Sequence, residues 1–142
     1  AMTVKDILLR KGSAVATAGP DTPLEGIAAE LAQRKIGALV IVDEGKVCGI
    51  VSERDLVRHI ANNGSAALGM AVSQCMTSKV ISCEPGETID GEMEKMTAGR
   101  FRHLPVLSDG DLAGINSIGD VVKRKIEQTE RDAEELKRYI AG

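Results

Sequence analysis

Aromatic residues are nearly absent from this 142-residue chain, which has no tryptophan, one phenylalanine and one tyrosine. A planar ligand cannot be held between aromatic rings here, so aliphatic side chains and backbone groups must hold it. The formal net charge is −3. Without basic patches or stacking aromatics, nucleic-acid binding is disfavoured.

Metal ligands are also scarce. The three cysteines (Cys48, Cys75, Cys83) are odd in number and lack the short paired spacing of a zinc site, and the histidines are only His59 and His103. We therefore predict no metal site, and free thiols indicate a reducing, cytoplasmic setting. His59 is expected to face solvent.

The chain shows no feature of a membrane protein or of a common enzyme. No apolar run is long enough to cross a bilayer. No Ser/His/Asp or Cys/His constellation and no Gly-rich phosphate loop is visible, which argues against an enzyme. What the chain does contain is a duplication.

The stretches GIVSERDLV (49–57) and GINSIGDVV (114–122) carry one pattern, displaced by 65 positions (Ser117 minus Ser52). No gap is needed from Val15 to Val122. Self-similarity on this scale indicates two copies of one supersecondary unit. Further aligned pairs are Val15/Val80, Pro20/Pro85, Leu24/Ile89, Gly26/Gly91, Leu31/Met96, Leu39/Leu104, Ile41/Val106, Gly45/Gly110 and Asp55/Asp120.

Each copy has the pattern β-α-β-β-α. In copy one, residues 14–17 are extended, an amphipathic helix follows Pro23, and the apolar runs 38–42 and 47–51 form a hairpin. The pattern becomes helical again after the serine. Copy two repeats this order with 80–83, a helix containing Ile89, 104–107 and 112–115. The fold class is therefore α+β, with two repeats packed by pseudo-twofold symmetry and a short helix (66–76) linking them.

The repeated serine and aspartate allow two interpretations. Serine before a helix is a good N-cap, and aspartate in the first turn suits the helix dipole. Alternatively, the helix N-terminus and serine hydroxyl bind a phosphate, and the aspartate accepts hydrogen bonds from a ribose diol. Recurrence of the pair in both copies favours the ligand interpretation.

Paired β-α-β-β-α units that each close with G-h-h-S-x-x-D resemble tandem CBS (cystathionine-β-synthase) domains, the arrangement called a Bateman module. The likeness covers nearly the whole chain, with one domain over 4–64, a linker over 65–75, a second domain over 76–128 and a helical extension over 129–142. It implies two sites for adenosine-type ligands, AMP foremost or ADP, ATP or NAD, in the cleft between the domains.

The resemblance also assigns residues to the two sites. Ser52, Arg54 and Asp55 would bind phosphate and ribose at the first, with Thr77, Ile81 and the backbone near Phe101 and His103 around the base. At the second, Ser117 and Asp120 would be joined by Ser13, Ala16, Ile36 and Ala38 around the base and by Arg102 and His103 at the phosphates.

The two sites differ in sequence. Arg54 in copy one is replaced by Gly119, and the second site has Arg102 instead. Asn116 replaces Val51 in an otherwise apolar strand, so if buried it needs a hydrogen-bond partner. Contact with a ligand and a local hydrogen bond both remain open for Asn116.

The C-terminal segment shows apolar or small residues at alternating steps of four and three, from Val122 to Ile140. This seam fits packing on the protein's own body or contact with a second copy, and the family resemblance implies a homodimer. We therefore expect a stand-alone regulatory nucleotide sensor that signals through an effector protein. A structural dimerisation module with empty clefts is the alternative.

Overall fold

The computed structural model describes residues 2–141, which form two compact units. The first-repeat unit is Ala14–Ile81 with Gly110–Leu112, and the second-repeat unit is the rest of the described chain. In chain order the elements are α1 (Val4–Lys11), β1 (Thr17–Ala18), α2 (Leu24–Arg34), β2 (Ala38–Asp43), β3 (Lys46–Ser52), α3 (Glu53–Asn63), α4 (Ile89–Gly99), β4 (His103–Ser108), β5 (Asp111–Ser117) and α5 (Ile118–Ala141).

In the first repeat, β1 runs parallel to β2, and β2 pairs antiparallel with β3, in the order β1-β2-β3. The β2–β3 turn places Glu44 and Gly45 at φ of 49° and 79°. Positive φ at both central residues matches the right-handed twist of the paired strands, which confirms the predicted tight hairpin. The predicted β-α-β-β-α order is present.

The second repeat follows the same order with less regular pairing. Strands β4 and β5 form a hairpin, and Asp109 and Gly110 again have positive φ. The predicted extended segment 80–83 is reduced to one parallel bridge, in which Cys83 pairs with Val106. The α+β class is confirmed, and the two repeats differ in the length of their first strand.

Helix α1 is an element that the repeat pattern did not predict. It begins with a capping box in which the amide of Thr3 donates to Asp6 Oδ2 at 2.8 Å. Val4, Ile7 and Leu8 are buried because the spacing i, i+3, i+4 places them on one helix face. They belong to the core of the second-repeat unit, which also contains Met2, Cys83, Ile89, Met96, Leu104, Val106 and Val121.

The segment between the repeats is not the single α-helix predicted over 66–76. It consists of two 3-10 helices, Gly64–Gly69 and Val72–Gln74. The amide of Val72 donates to Thr22 and that of Ser73 to Pro20, so these groups do not continue an α-helical ladder. Val72 and Ala67 thereby join the first-repeat core with Leu24, Ile27, Leu31, Leu39, Ile41, Val51 and Leu56.

Helix α5 is continuous over 24 residues, and only Val121 is fully buried. Val122, Ile126, Leu136 and Ile140 are 39%, 54%, 59% and 76% exposed. The apolar seam is therefore not packed on the described part of the chain. Of the two interpretations of this seam, packing on the protein's own body is wrong.

Candidate functional site

The first candidate site lies where β3 passes into α3. The carboxylate of Asp55 accepts through Oδ2 from the amide of Ser52 at 2.8 Å and from its hydroxyl at 3.0 Å. The amide of Asp55 lies 3.3 Å from the Ser52 oxygen. These contacts form a capping box. Asp55 Oδ1 has a looser neighbour, Arg58 Nη1 at 3.9 Å.

The second candidate site, where β5 passes into α5, has the same cap with an added cation. The amide of Ser117 donates to Asp120 Oδ2 at 2.8 Å, and the Asp120 amide donates to Ser117 Oγ at 3.1 Å. Lys11 Nζ also lies 2.7 Å from Asp120 Oδ2 and 2.7 Å from the Ile115 carbonyl oxygen. We did not predict Lys11 from the sequence because it precedes the aligned part of the repeat.

This cation changes the electrostatics of the second junction. Burial opposes ionisation of Asp120, but the Lys11 ammonium and the Ser117 amide outweigh it and lower the pKa of the carboxyl below its ordinary value. The carboxylate is therefore ionised at neutral pH and its charge is matched by a neighbouring ammonium.

Both helices are also held by one equivalent backbone bond. The amide of Glu53 donates to the Gly37 carbonyl at 3.0 Å, and that of Ile118 donates to the Arg102 carbonyl at 2.8 Å. Gly37 and Arg102 are equivalent in the 65-residue register, so this bond is a shared property of the repeat. The side chains of Arg102 and Arg54 are exposed at these junctions.

Thr77, predicted to lie near the base, is an exposed residue beside β3. Its amide and carbonyl pair with those of Ile50 at 2.9 and 3.0 Å. Ile81, further along this segment, is 36% exposed. Thr77 therefore lies along the strand that leads to Ser52, in the same unit as the first junction.

The other predicted base-binding residues are divided between the two units. In the first-repeat unit, the Ala16 carbonyl accepts from Val40, Ile36 is half-buried, and Ala38 opens β2 opposite Ser52. In the second-repeat unit, Ser13 is exposed, Phe101 is partly buried against the core, and His103 opens β4. Their assignment to a ligand stays a prediction.

Asn116 forms a local hydrogen bond within the core. It is fully buried, and its Nδ2 lies 3.1 Å from each carboxylate oxygen of Glu92, which is also fully buried. Asn116 Oδ1 is buried without a partner in the described chain. Burial raises the pKa of Glu92 above its ordinary value, and burial with the nearby Glu92 raises the pKa of Cys83 to about 12.

The expectation for His59 has an outcome. His59 does not simply face solvent, because it is half-buried and its Nε2 has no partner in the described chain. Among residues 2–141, no group of three or more His, Cys, Asp and Glu side chains is placed to hold a metal ion. No helix in this range is long and apolar enough to span a membrane.

A cavity of about 500 Å³ opens in the second-repeat unit beside α1 and α5. Its lining includes Arg10, Gln128 and Arg131 and contains none of the predicted ligand-binding residues. The junctions remain the candidate site, because only there does the repeat place the same serine and aspartate twice.

The Ser/Asp geometry alone does not prove a ligand site. Thr3 and Asp6 form the same capping box at α1, where no ligand is predicted. The pair therefore has a structural function wherever it occurs, and a role in binding needs independent support. Comparison with known proteins identifies the family of the chain.

The CBS domain family model matches residues 4–62 and 72–127. The CBS-domain containing protein ATU1752 from Agrobacterium tumefaciens is 52% identical, with a TM-score of 0.85 over 88% of this chain and 94% of that one. The CBS domain pair of protein MJ0100, solved in complex with 5′-methylthioadenosine and S-adenosyl-L-methionine, is 28% identical, with a TM-score of 0.80 over 89% and 98%. CBSX2, solved in complex with AMP, is 26% identical, with a TM-score of 0.74 over 91% and 99%. The chain is a member of the CBS domain family, with two CBS domains arranged as a Bateman module.

Proposed function

We propose that this chain is a regulatory nucleotide sensor that binds an adenosine ligand, AMP foremost, at its Ser–Asp junctions. The observation that carries the proposal is the duplicated junction, in which each carboxylate is anchored through Oδ2 to its own cap. Relatives solved with AMP, 5′-methylthioadenosine and S-adenosyl-L-methionine support it, because these ligands share an adenosine with a ribose diol. ADP, ATP and NAD share it too.

The junction chemistry suits each part of such a ligand. The free amides and positive dipole at the start of α3 favour a phosphate, and exposed Arg54 adds a cation beside it. Asp55 Oδ1 is left to accept from ribose hydroxyls, because the cap uses Oδ2. Capping and ligand binding therefore employ different oxygens of one carboxylate.

Ligand binding is tested by thermal shift and calorimetry with AMP, ADP, ATP, NAD, GTP and S-adenosylmethionine. A ligand at one hundred times its Kd should add about 2.7 kcal/mol of stability. Asp55→Ala and Asp120→Ala should each abolish binding at one junction. Because both also remove a helix cap, Asp6→Ala is the matched control, since it removes the same kind of cap from α1.

The outcomes separate clearly. Asp6→Ala should lower stability and leave ligand affinity unchanged. If Asp6→Ala weakens binding as much as Asp55→Ala and Asp120→Ala do, the aspartates act through stability alone. If none of the six compounds binds the unsubstituted protein, the sensor proposal fails.

We propose further that the protein acts as a homodimer through α5. The exposed seam is Val122, Ile126, Thr129, Ala133, Leu136 and Ile140. In a parallel pair with equal register, Asp132 of one protomer faces Lys137 of its partner, and Lys125 faces Glu130. Both pairs are of opposite charge, which favours this orientation, although Lys125 also contacts Asp90 at 2.8 Å.

The double substitution Leu136→Glu with Ile140→Glu should produce a monomer in analytical ultracentrifugation. Arg138→Glu, on the opposite side of the seam, is the matched control and should leave the mass unchanged. A dimer that binds no nucleotide would support the second candidate function, a structural dimerisation module with empty sites. The proposal includes an effector protein that responds to ligand binding. It also places the protein in the cytoplasm.

A further inference from the structure

Lys11 ends α1 and brings an ammonium to the second junction. Its Nζ contacts the Ile115 carbonyl and Asp120 Oδ2, each at 2.7 Å. The Lys11 side chain is 30% exposed, so a molecule in solution can reach it. An ammonium has three N–H donors, and these two contacts leave one donor for a further acceptor.

The Lys11 ammonium and the Asp120 carboxylate have complementary hydrogen-bonding chemistry. A carboxylate only accepts and an ammonium only donates, whereas a sugar hydroxyl does both. The contacts that Ser117 and Lys11 make with Asp120 are to Oδ2. A hydroxyl that donates to Oδ1 can therefore accept, through its own oxygen, from the remaining donor of Lys11.

We propose that Lys11 is a specificity-determining residue of the second junction, donating to a ribose hydroxyl oxygen while Asp120 accepts from the ribose diol. This inference rests on the proposed function and specifies how one of its two sites recognises the sugar. Within residues 2–141, the first junction has no equivalent close donor, because the one cation paired with Asp55, Arg58, lies 3.9 Å from Oδ1 and is 68% exposed. The second junction therefore discriminates ribose from deoxyribose more strongly than the first.

The test measures sugar discrimination in an Asp55→Ala background, in which only the second junction binds. Calorimetry compares AMP with 2′-deoxy-AMP and 3′-deoxy-AMP before and after Lys11→Met. Loss of a charge-assisted hydrogen bond should weaken AMP binding on the order of tenfold. Affinity for the deoxy analogue that lacks the contacted hydroxyl should change less than twofold, because a removed hydroxyl has no contact to lose.

Lys79→Met is the matched control. Met76 packs against Gly49, and Leu8 packs against the equivalent Gly114. Met76 and Leu8 are 68 positions apart (76 − 8), and the same displacement places Lys79 at the position equivalent to Lys11. Lys79 is exposed and makes no ion pair within the described chain. Its substitution should leave affinity for all three nucleotides unchanged, and Lys11→Arg should retain part of the discrimination.

Several results would overturn the proposal. An equal loss for all three nucleotides would show a positioning effect of Lys11, and unchanged affinities would show no contact. Binding of AMP by the unsubstituted protein but not by Asp55→Ala would remove the second junction as a ribose site while the sensor function stands. Absence of AMP binding in the unsubstituted protein would instead refute the sensor function itself.

Discussion

The two repeats have the same order of elements and different buried side chains. Their hairpin turns, their serine caps and the backbone bond that holds α3 or α5 are equivalent. At three equivalent inner positions, however, the first repeat has Ala18, Ile27 and Val51, and the second has Cys83, Glu92 and Asn116. The two repeats share these backbone interactions, whereas the core of the first is apolar and that of the second is partly polar.

A polar group is tolerated in such a core when it has a hydrogen-bond partner. Glu92 and Asn116 are both fully buried and hydrogen-bonded to each other, which offsets part of their desolvation cost. The first repeat has no such pair, since Ile27 and Val51 are fully buried among aliphatic neighbours.

The largest effect is expected when the carboxyl is moved alone into the first repeat. Ile27→Glu should lower the free energy of unfolding by about 3–5 kcal/mol, because the new carboxyl has no partner there. Urea denaturation measures the loss. Ile27→Val is the matched control and should cost about 0.5–1.5 kcal/mol, and adding Val51→Asn should recover part of the loss. A cost for Ile27→Glu below that of the control would contradict this explanation.

A smaller loss is expected when the existing pair is broken. Asn116→Val leaves Glu92 buried without its partner and should cost about 1–3 kcal/mol. The double variant with Glu92→Ile restores the residues of the first repeat and should recover most of the stability. Urea denaturation of the unsubstituted protein, Asn116→Val, Glu92→Ile and the double variant gives the coupling energy between the two side chains. Additive effects of the two substitutions would show that the pair does not act as a unit.

The buried carboxyl should also make stability depend on pH. Burial raises the pKa of Glu92 in the folded state, with Cys83 and Asn116 as hydrogen-bond partners and Glu87 and Asp120 as nearby acids. The folded state then holds a proton that the unfolded state releases, so this stability is present at low pH and falls as pH rises through the folded pKa. The unfolding free energy of the unsubstituted protein, minus that of Glu92→Gln, should fall by about 1.4 kcal/mol per unit of pKa difference. If this difference in unfolding free energy stays constant or rises with pH, the pKa of Glu92 is not raised in the folded state.

The smallest loss of stability is expected when the serine cap of α3 or of α5 is removed. Ser52→Ala and Ser117→Ala each remove a side-chain acceptor from a helix start and should cost about 1 kcal/mol. Ser117→Ala should cost less, because Lys11 still holds Asp120 at the junction. Thermal denaturation of both variants checks the order, and a larger loss for Ser117→Ala would show that Lys11 does not support this cap.

Much of the fold was predictable because the two copies carry the same hydrophobic pattern, displaced by 65 residues. Each copy therefore supports the assignment of helices and strands in the other. The hairpins, the helices that follow Pro23 and Thr88, and both Ser–Asp junctions follow from local spacing. Helix α1 has a capping box and a one-sided apolar face, but it precedes the aligned segment. The prediction of one helix for the linker was wrong because the amides of Val72 and Ser73 donate to the carbonyls of Thr22 and Pro20. Local sequence does not encode these contacts.

At the candidate site, the sequence predicted the capping residues, and what it missed is long-range. Lys11 is separated from Asp120 by most of the chain, and no spacing rule connects them. The partner of Asn116 was also open, because Glu92 lies on a helix whose other inward residues are apolar. Both contacts depend on tertiary packing.

The position of α1 has a consequence for synthesis. Its buried face belongs to the core that includes Leu104 and Val121, so α1 leaves the ribosome long before the residues against which it packs. The first-repeat core consists of residues from 24 to 72 and can close much earlier. During translation, Val4, Ile7 and Leu8 therefore stay uncovered until the second repeat has been synthesised.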